Sequence, residues 1–82
     1  MTVRVILFAR AKDLAGTEAL AVELPPGGTV GDLRRVLARA CPALAGLLAR
    51  SAVAVNEEFA PDSAVVPAGA AVALLPPVSG GQ

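Results

Sequence analysis

The sequence predicts an α+β domain in which one main helix packs on one face of a mixed sheet. Three observations carry the prediction. Residues 2–9 and 71–75 are apolar on both alternating faces, which places them as interior strands. A single strong helical period lies between them, over residues 30–40. Proline and glycine clusters fall between such stretches, where short elements need turns.

Val3, Val5 and Leu7 alternate with Arg4, Ile6 and Phe8, so Thr2 to Ala9 reads as the first strand. Arg10 to Thr17 reads as a polar connection closed by Gly16, in which Lys12 and Asp13 are either solvated charges or points of partner contact. Leu20, Val22 and Leu24 alternate with Ala19, Ala21 and Glu23 as a second strand, close enough in sequence to favour a hairpin with the first. Pro25-Pro26-Gly27-Gly28 then breaks the chain. It is no phosphate loop, since its glycines lack Walker spacing and no lysine follows them directly.

Thr29 stands as the N-cap of the helix, with Asp32 three residues on as a shorter relative of the capping box. Val30, Leu33, Val36, Leu37 and Ala40 share one face, while Arg34, Arg35 and Arg39 point elsewhere. Arg35 and Arg39, one turn apart, are open to two readings, an anion-binding pair or a solvated helix face. Cys41-Pro42 ends the helix, because the residue before proline is biased away from helical geometry. Leu44, Leu47 and Leu48 have the spacing of a short second helical turn finishing near Arg50. Ala52 to Val55 is a short strand, Asn56-Glu57-Glu58 a turn whose asparagine tolerates left-handed backbone, and Phe59 resumes an extended path. Pro61-Asp62-Ser63 and Pro67-Ala68-Gly69 punctuate the segment before the last strand, the latter as a type II turn with proline at its second position.

Composition narrows the function. Eighty-two residues make one domain, near the size at which a single core suffices without metal or disulfide. The chain is 55% hydrophobic but has only Phe8 and Phe59 as aromatics, so aliphatic packing must hold it. Seven basic residues balance seven acidic ones, leaving no net field for nucleic acid, an anionic membrane or a strongly charged substrate. With no histidine and one cysteine, His-based triads, Cys/His zinc sites and an internal disulfide are excluded, and Cys41 has no histidine base to activate it. No metal site and no intrinsically bound cofactor is expected. Val5 to Ala9 is too short for a signal-peptide core, and Pro67, Gly69 and Pro76-Pro77 interrupt the uncharged stretch after Asp62. The expectation is a soluble, cytoplasmic protein.

If the two-faced strands are the central pair, the first and last strands lie side by side and parallel, with hairpin-like pairs flanking the helix. That is a β-grasp, or ubiquitin-like, arrangement over residues 1–75. The rest, 76–82, reads as an extended flexible tail, since prolines cannot continue a central ladder and favour an extended path. Fully stretched it reaches about 23–25 Å, enough to enter a partner's pocket while the domain stays outside.

Several motifs carry a resemblance: Leu7-Phe8-Ala9 with Lys12-Asp13-Leu14-Ala15-Gly16, then Ala54-Val55-Asn56, and above all Val72-Ala73-Leu74-Leu75-Pro76-Pro77-Val78-Ser79-Gly80-Gly81. Through them the chain resembles, over essentially its whole length, the small subunits of molybdopterin synthase, β-grasp sulfur carriers of molybdenum cofactor biosynthesis. The resemblance implies a carrier with no catalysis of its own. A ubiquitin-activating-like adenylyltransferase would use ATP to adenylate the Gly81 carboxylate, and a sulfur donor protein would convert it to a thiocarboxylate. The tail would then enter the large synthase subunit, where the sulfur builds the dithiolene of molybdopterin from cyclic pyranopterin monophosphate. The resemblance also implies a heterotetramer of two small and two large subunits. Pro76, Pro77, Val78, Ser79 and Gly80 would deliver Gly81, and Phe8, Phe59 and Leu75 match family positions that face partners. The chemistry is coherent: a carboxylate is a poor acyl donor until adenylation supplies a leaving group, and glycine passes a narrow channel without a Cβ. For Phe8 and Phe59 the alternative is a place in the core, which so small a domain would welcome.

The chain also departs from the family pattern. The family typically ends at its second glycine, whereas here Gln82 follows Gly81 and the Gly81 carbonyl is an internal amide: either Gln82 is trimmed first, which is the expectation, or it is not a functional terminus, or this copy is not a competent carrier. Pro67-Ala68-Gly69-Ala70 stands where the family often has acidic residues, which implies only a changed surface. Competing readings are a sulfur carrier for thiamine synthesis, which usually lacks the Pro-Pro-Val element, a ubiquitin-like tag attached to protein lysines, and a non-covalent module whose glycines are merely a flexible end.

Overall fold

In the computed structural model, which describes residues 1–77, β1 (Thr2–Leu7) and β2 (Ala19–Glu23) form the expected antiparallel hairpin, with Val3 opposite Val22 and Val5 opposite Leu20. β1 also pairs in parallel with the last strand, β5 (Val72–Leu75), setting Val5 beside Val72 and Leu7 beside Leu74. On the other side of β5, β3 (Ala52–Val55) runs antiparallel to it, and β4 (Glu58–Phe59) completes the order β2-β1-β5-β3-β4. The parallel pair is therefore interior, flanked by antiparallel strands, and the sheet is that of a β-grasp fold. The expectations placed on Val78, Ser79, Gly80, Gly81 and Gln82, including the extended arm, fall outside the described residues.

The connection after β1 differs from expectation. β1 stops at Leu7, and instead of a polar loop the chain forms helix α1 (Ala9–Ala15), capped by Gly16 in left-handed geometry (φ 72°) with its N–H donating to the Lys12 carbonyl at 2.9 Å. Only Ala11 of this helix is buried, so no apolar stripe marks it in the sequence. A helix this short is not stable alone and is held by what it packs against, namely β5 and the Pro42–Leu44 turn.

The main helix, α2 (Val30–Ala40), starts where its caps predict. The Asp32 N–H donates to Thr29 Oγ1 at 3.2 Å, and the Thr29 N–H donates to Asp32 Oδ2 at 3.0 Å. Those bonds, with the Arg35 guanidinium, hold the Asp32 carboxyl below its ordinary value, the Thr29 backbone N–H being the largest cause. Val30 N–H and Gly31 N–H, which no turn of α2 can satisfy, donate to the carbonyls of Ala64 and Asp62 at 2.9 and 3.0 Å. Gly28 just upstream is required by space, because a Cβ there would lie 2.7 Å from the Leu24 side chain. The buried face of α2 is narrower than the periodicity suggests: Val30, Leu33 and Leu37 are buried, Val36 is half-buried and Ala40 is exposed.

A short 3-10 turn (Pro42–Leu44) and α3 (Ala45–Leu48) bring Leu44, Leu47 and Leu48 into the same core as Val3, Val5, Leu7, Val53, Val72 and Leu74. Every apolar side chain in that core is aliphatic or alanine, each large one contributing about 1.5–3 kcal/mol by leaving water. The turn before β5 is displaced by one residue from expectation. The Ala70 N–H donates to the Pro67 carbonyl at 3.2 Å, so Pro67 is its first residue and Gly69, at φ 75°, takes the left-handed third position. Alanine at position 68 is poorly suited to positive φ, and glycine one step later is not.

Candidate partner-docking face and tail exit

Strand alternation that buries Val3, Val5 and Leu7 turns Ile6 to the other face of the sheet, which no helix covers among the described residues. The strand register then builds a row across that face. Ile6 lies beside Ala73, Ala73 opposite Ala54, and Ala54 opposite Phe59. Within this row β5 and β3 contribute small side chains and the flanking strands β1 and β4 large ones. A groove of about 270 Å³ results, lined by Ile6, Phe8, Ala54, Ala71, Ala73 and Glu57 among others.

Phe8 is 47% exposed and Phe59 76%, so neither aromatic belongs to the core. Leu75, on the same face opposite Ala52, is half-buried. Phe8 follows β1 in extended geometry as the N-cap of α1, its N–H donating to the Leu74 carbonyl at 3.3 Å, and Ala9 turns the chain sharply with φ 50°. Positive φ at a residue other than glycine is costly, and here it fixes Phe8 at the end of β5 from which the tail departs. Pro76 is half-buried and Pro77 exposed, neither adding to the ladder.

Asn56 and Glu57 both have positive φ, 51° and 70°, the signature of a type I′ hairpin turn joining β3 to β4. Asn56 also accepts the Ala71 N–H on its side-chain Oδ1 at 3.0 Å and donates its own N–H to the Ala71 carbonyl at 2.8 Å. The asparagine thus ties the hairpin to the start of β5, whose far end carries the tail. Its sequence signature shows a turn residue; the second tie depends on a strand 15 residues away.

Periodicity puts Arg34 on the solvent side of α2, yet its guanidinium turns inward as a clamp. Its Nε donates to Asp62 Oδ1 at 2.8 Å, and its Nη1 donates to the Ser51 carbonyl at 2.7 Å and to the Leu48 carbonyl. These carbonyls close α3, so the guanidinium holds the start of β3 and the 61–66 segment against α2. Nothing local in the sequence distinguishes Arg34 from Arg35 or Arg39. Arg35 is engaged by Asp32 on its own helix and Arg39 is exposed, and the two line one cleft together with Asp32, Val36, Leu24 and Pro25. Lys12 and Asp13 are exposed on α1, and Cys41 is half-buried at the C-cap of α2. Among the described residues no cluster of His, Cys, Asp or Glu is arranged to hold a metal, and no helix is long and apolar enough to cross a membrane.

What the described residues offer is a shaped apolar face beside a strand that leads into the tail. The pattern of the ThiS family matches residues 5–81. The molybdopterin synthase sulfur carrier subunit of Arabidopsis thaliana is 37% identical over 79 residues, covering 96% of this chain and 82% of that protein. Among solved structures, SAMP1 of Haloferax volcanii superimposes with a TM-score of 0.86 at 32% identity, over 98% of this chain and 99% of that one. A chain in the complex of subunits 1 and 2 of molybdopterin-converting factor from Helicobacter pylori 26695 matches with a TM-score of 0.68 over 98% and 99% of the two chains; at 23% identity that likeness speaks for the fold alone. The chain therefore belongs to the ThiS family, as a ubiquitin-like β-grasp protein related to the molybdopterin synthase sulfur carrier subunits.

Proposed function

We propose that this protein is the sulfur carrier subunit of a molybdopterin synthase, with Gly81 as the carrying residue. The observation that supports it most directly is the likeness to the Arabidopsis carrier across 96% of the chain, together with a sequence that continues from β5 into Pro76-Pro77-Val78-Ser79-Gly80-Gly81. Hydrolysis of the Gly81–Gln82 amide exposes a carboxylate on Gly81. An adenylyltransferase joins that carboxylate to the AMP part of ATP with loss of pyrophosphate, and hydrosulfide supplied by a donor protein then attacks the acyl carbon, the C–S bond forming as the C–O bond to AMP breaks and a proton is lost, to leave the thiocarboxylate. Phe8, Phe59 and Leu75 dock the large subunit, two copies of each subunit forming the synthase, while Pro76 to Gly80 lead the sulfur to cyclic pyranopterin monophosphate. The domain contributes delivery and positioning; the reactive atom is on the backbone of the tail.

Reconstitution with a large synthase subunit and the pterin precursor tests this reading, comparing the full chain with one that ends at Gly81. Molybdopterin formed by the shorter chain after loading, with mass spectrometry showing sulfur at Gly81, is the expected result. No pterin product from either chain overturns the reading.

A second reading has one observation in its favour, the 32% identity to a small archaeal modifier protein. On that reading Gly81 is transferred to protein lysines. Higher-mass conjugates in cell extracts, lost in Gly81→Ala, would support it; their absence would leave the carrier reading alone.

A further inference from the structure

The groove on the open face has two unlike ends. Phe8 and Leu75 stand where β5 runs out toward the tail, while Glu57 brings the one charged side chain of the groove lining close to Ala71 at the start of β5. From Ala71 to Leu75 the strand rises roughly 13 Å. Glu57 makes no ion pair among the described residues, so its carboxylate does nothing visible for the fold. It also sits at φ 70°, the turn position at which glycine would be most at ease. Arg4, on the opposite flank at the level of Ala71, forms no ion pair with it.

An apolar groove alone supplies affinity with little sense of direction. A partner segment that entered it reversed along β5 would bury nearly the same area and yet aim the tail away from the reaction site. A single carboxylate at one end breaks that symmetry, because reversed docking lays apolar surface over an unpaired charge. We propose that Glu57 is a specificity determinant of docking, receiving a lysine or arginine of the large synthase subunit at the end of the groove remote from the tail. This rests on the sulfur-carrier reading. The partner's basic group then lies roughly 13 Å along the groove from where the tail enters, and the other side chains that line the groove are apolar.

Glu58 is the natural control. It carries the same charge one residue on, but it pairs with Val55, whose neighbour on β5 is the buried Val72, and so belongs to the opposite face. Calorimetric titration of the full chain with the large subunit from the same organism separates the cases. Glu57→Gln is expected to weaken binding about fivefold and Glu57→Lys about twentyfold, with Glu58→Gln within about twofold of the unsubstituted protein. Raising salt from about 50 to about 500 mM should weaken binding of the unsubstituted chain and of Glu58→Gln, and leave Glu57→Gln much less affected. Thermal melts of each variant show whether the hairpin is retained. Equal affinities for Glu57→Gln and Glu58→Gln, or equal salt dependence, overturn the assignment of Glu57 while leaving the carrier reading intact. Failure of the unsubstituted chain to bind overturns both.

Discussion

On one face of the sheet Val3, Val5, Leu7, Val53, Val72 and Leu74 are sealed in one cluster with Leu33, Leu37 and Leu44 of the helical layer. On the other, Ile6, Phe8, Ala54, Ala73 and Phe59 lie uncovered. Hydrophobicity does not separate the two sets; side-chain size and arrangement do. The covered face uses valine and leucine throughout, which fill space permanently at close packing. On the open face the row from Ile6 to Phe59 sets alanines of β5 and β3 between larger residues, leaving a groove of about 270 Å³. Burial that is always present contributes to folding, and burial deferred to association contributes to recognition.

Substitutions should separate these two uses. Leu74→Ala, on the covered side of a central strand, should lower unfolding free energy by about 3 kcal/mol in chemical denaturation. Phe59→Ala should do the reverse, leaving stability within about 0.5 kcal/mol while weakening association with the large subunit by about 2 kcal/mol. Equal losses of stability from the two would erase the distinction between the faces.

Polar residues sharpen the same contrast at smaller scale. Arg34→Ala strips the carbonyls of Leu48 and Ser51 of their donor and should cost about 1–2 kcal/mol of stability with no direct effect on the open face. Arg34→Lys should recover only part of it, since an ammonium cannot span the same fork. Glu57→Gly works in the opposite sense, relieving a left-handed residue and raising stability by up to about 1 kcal/mol even as it removes the proposed docking charge. A thermal melt that shifts down instead would show that Glu57 is held by the fold and not for a partner.

The smallest effect belongs to Asp32. Its carboxyl is held below the ordinary 3.8, so the folded state gives up its charge at lower pH than the unfolded chain does. The stabilisation is fully present above that ordinary value and is lost as pH falls through the lower folded one. The stability difference between the unsubstituted protein and Asp32→Asn, followed by urea denaturation from about pH 6 to about pH 2, should therefore shrink on acidification.

Legibility tracks the range of the interactions. The hairpin, the interior parallel pair and the capped helix are readable because alternation and the Thr29–Asp32 cap are local patterns that reflect burial and backbone satisfaction directly. α1 is not, because its polar run owes its helical form to neighbours rather than to a stripe of its own. Sequence alone sets Pro67 one position late in its turn, because proline suits more than one turn position and only the φ of Gly69 decides which.

The strand alternation, the capped main helix and the Pro-Pro-Val-Ser-Gly-Gly run toward Gln82 are properties of the amino-acid sequence alone, because each is written in spacing and residue type. Tertiary structure decided that Phe8 and Phe59 stay outside the core, that Arg34 turns inward, and that Asn56 grips the start of β5. Those outcomes depend on which strands become neighbours and on where small side chains meet large ones. A one-dimensional pattern records that a residue is apolar or charged, but the surface it will face exists only after distant segments have paired.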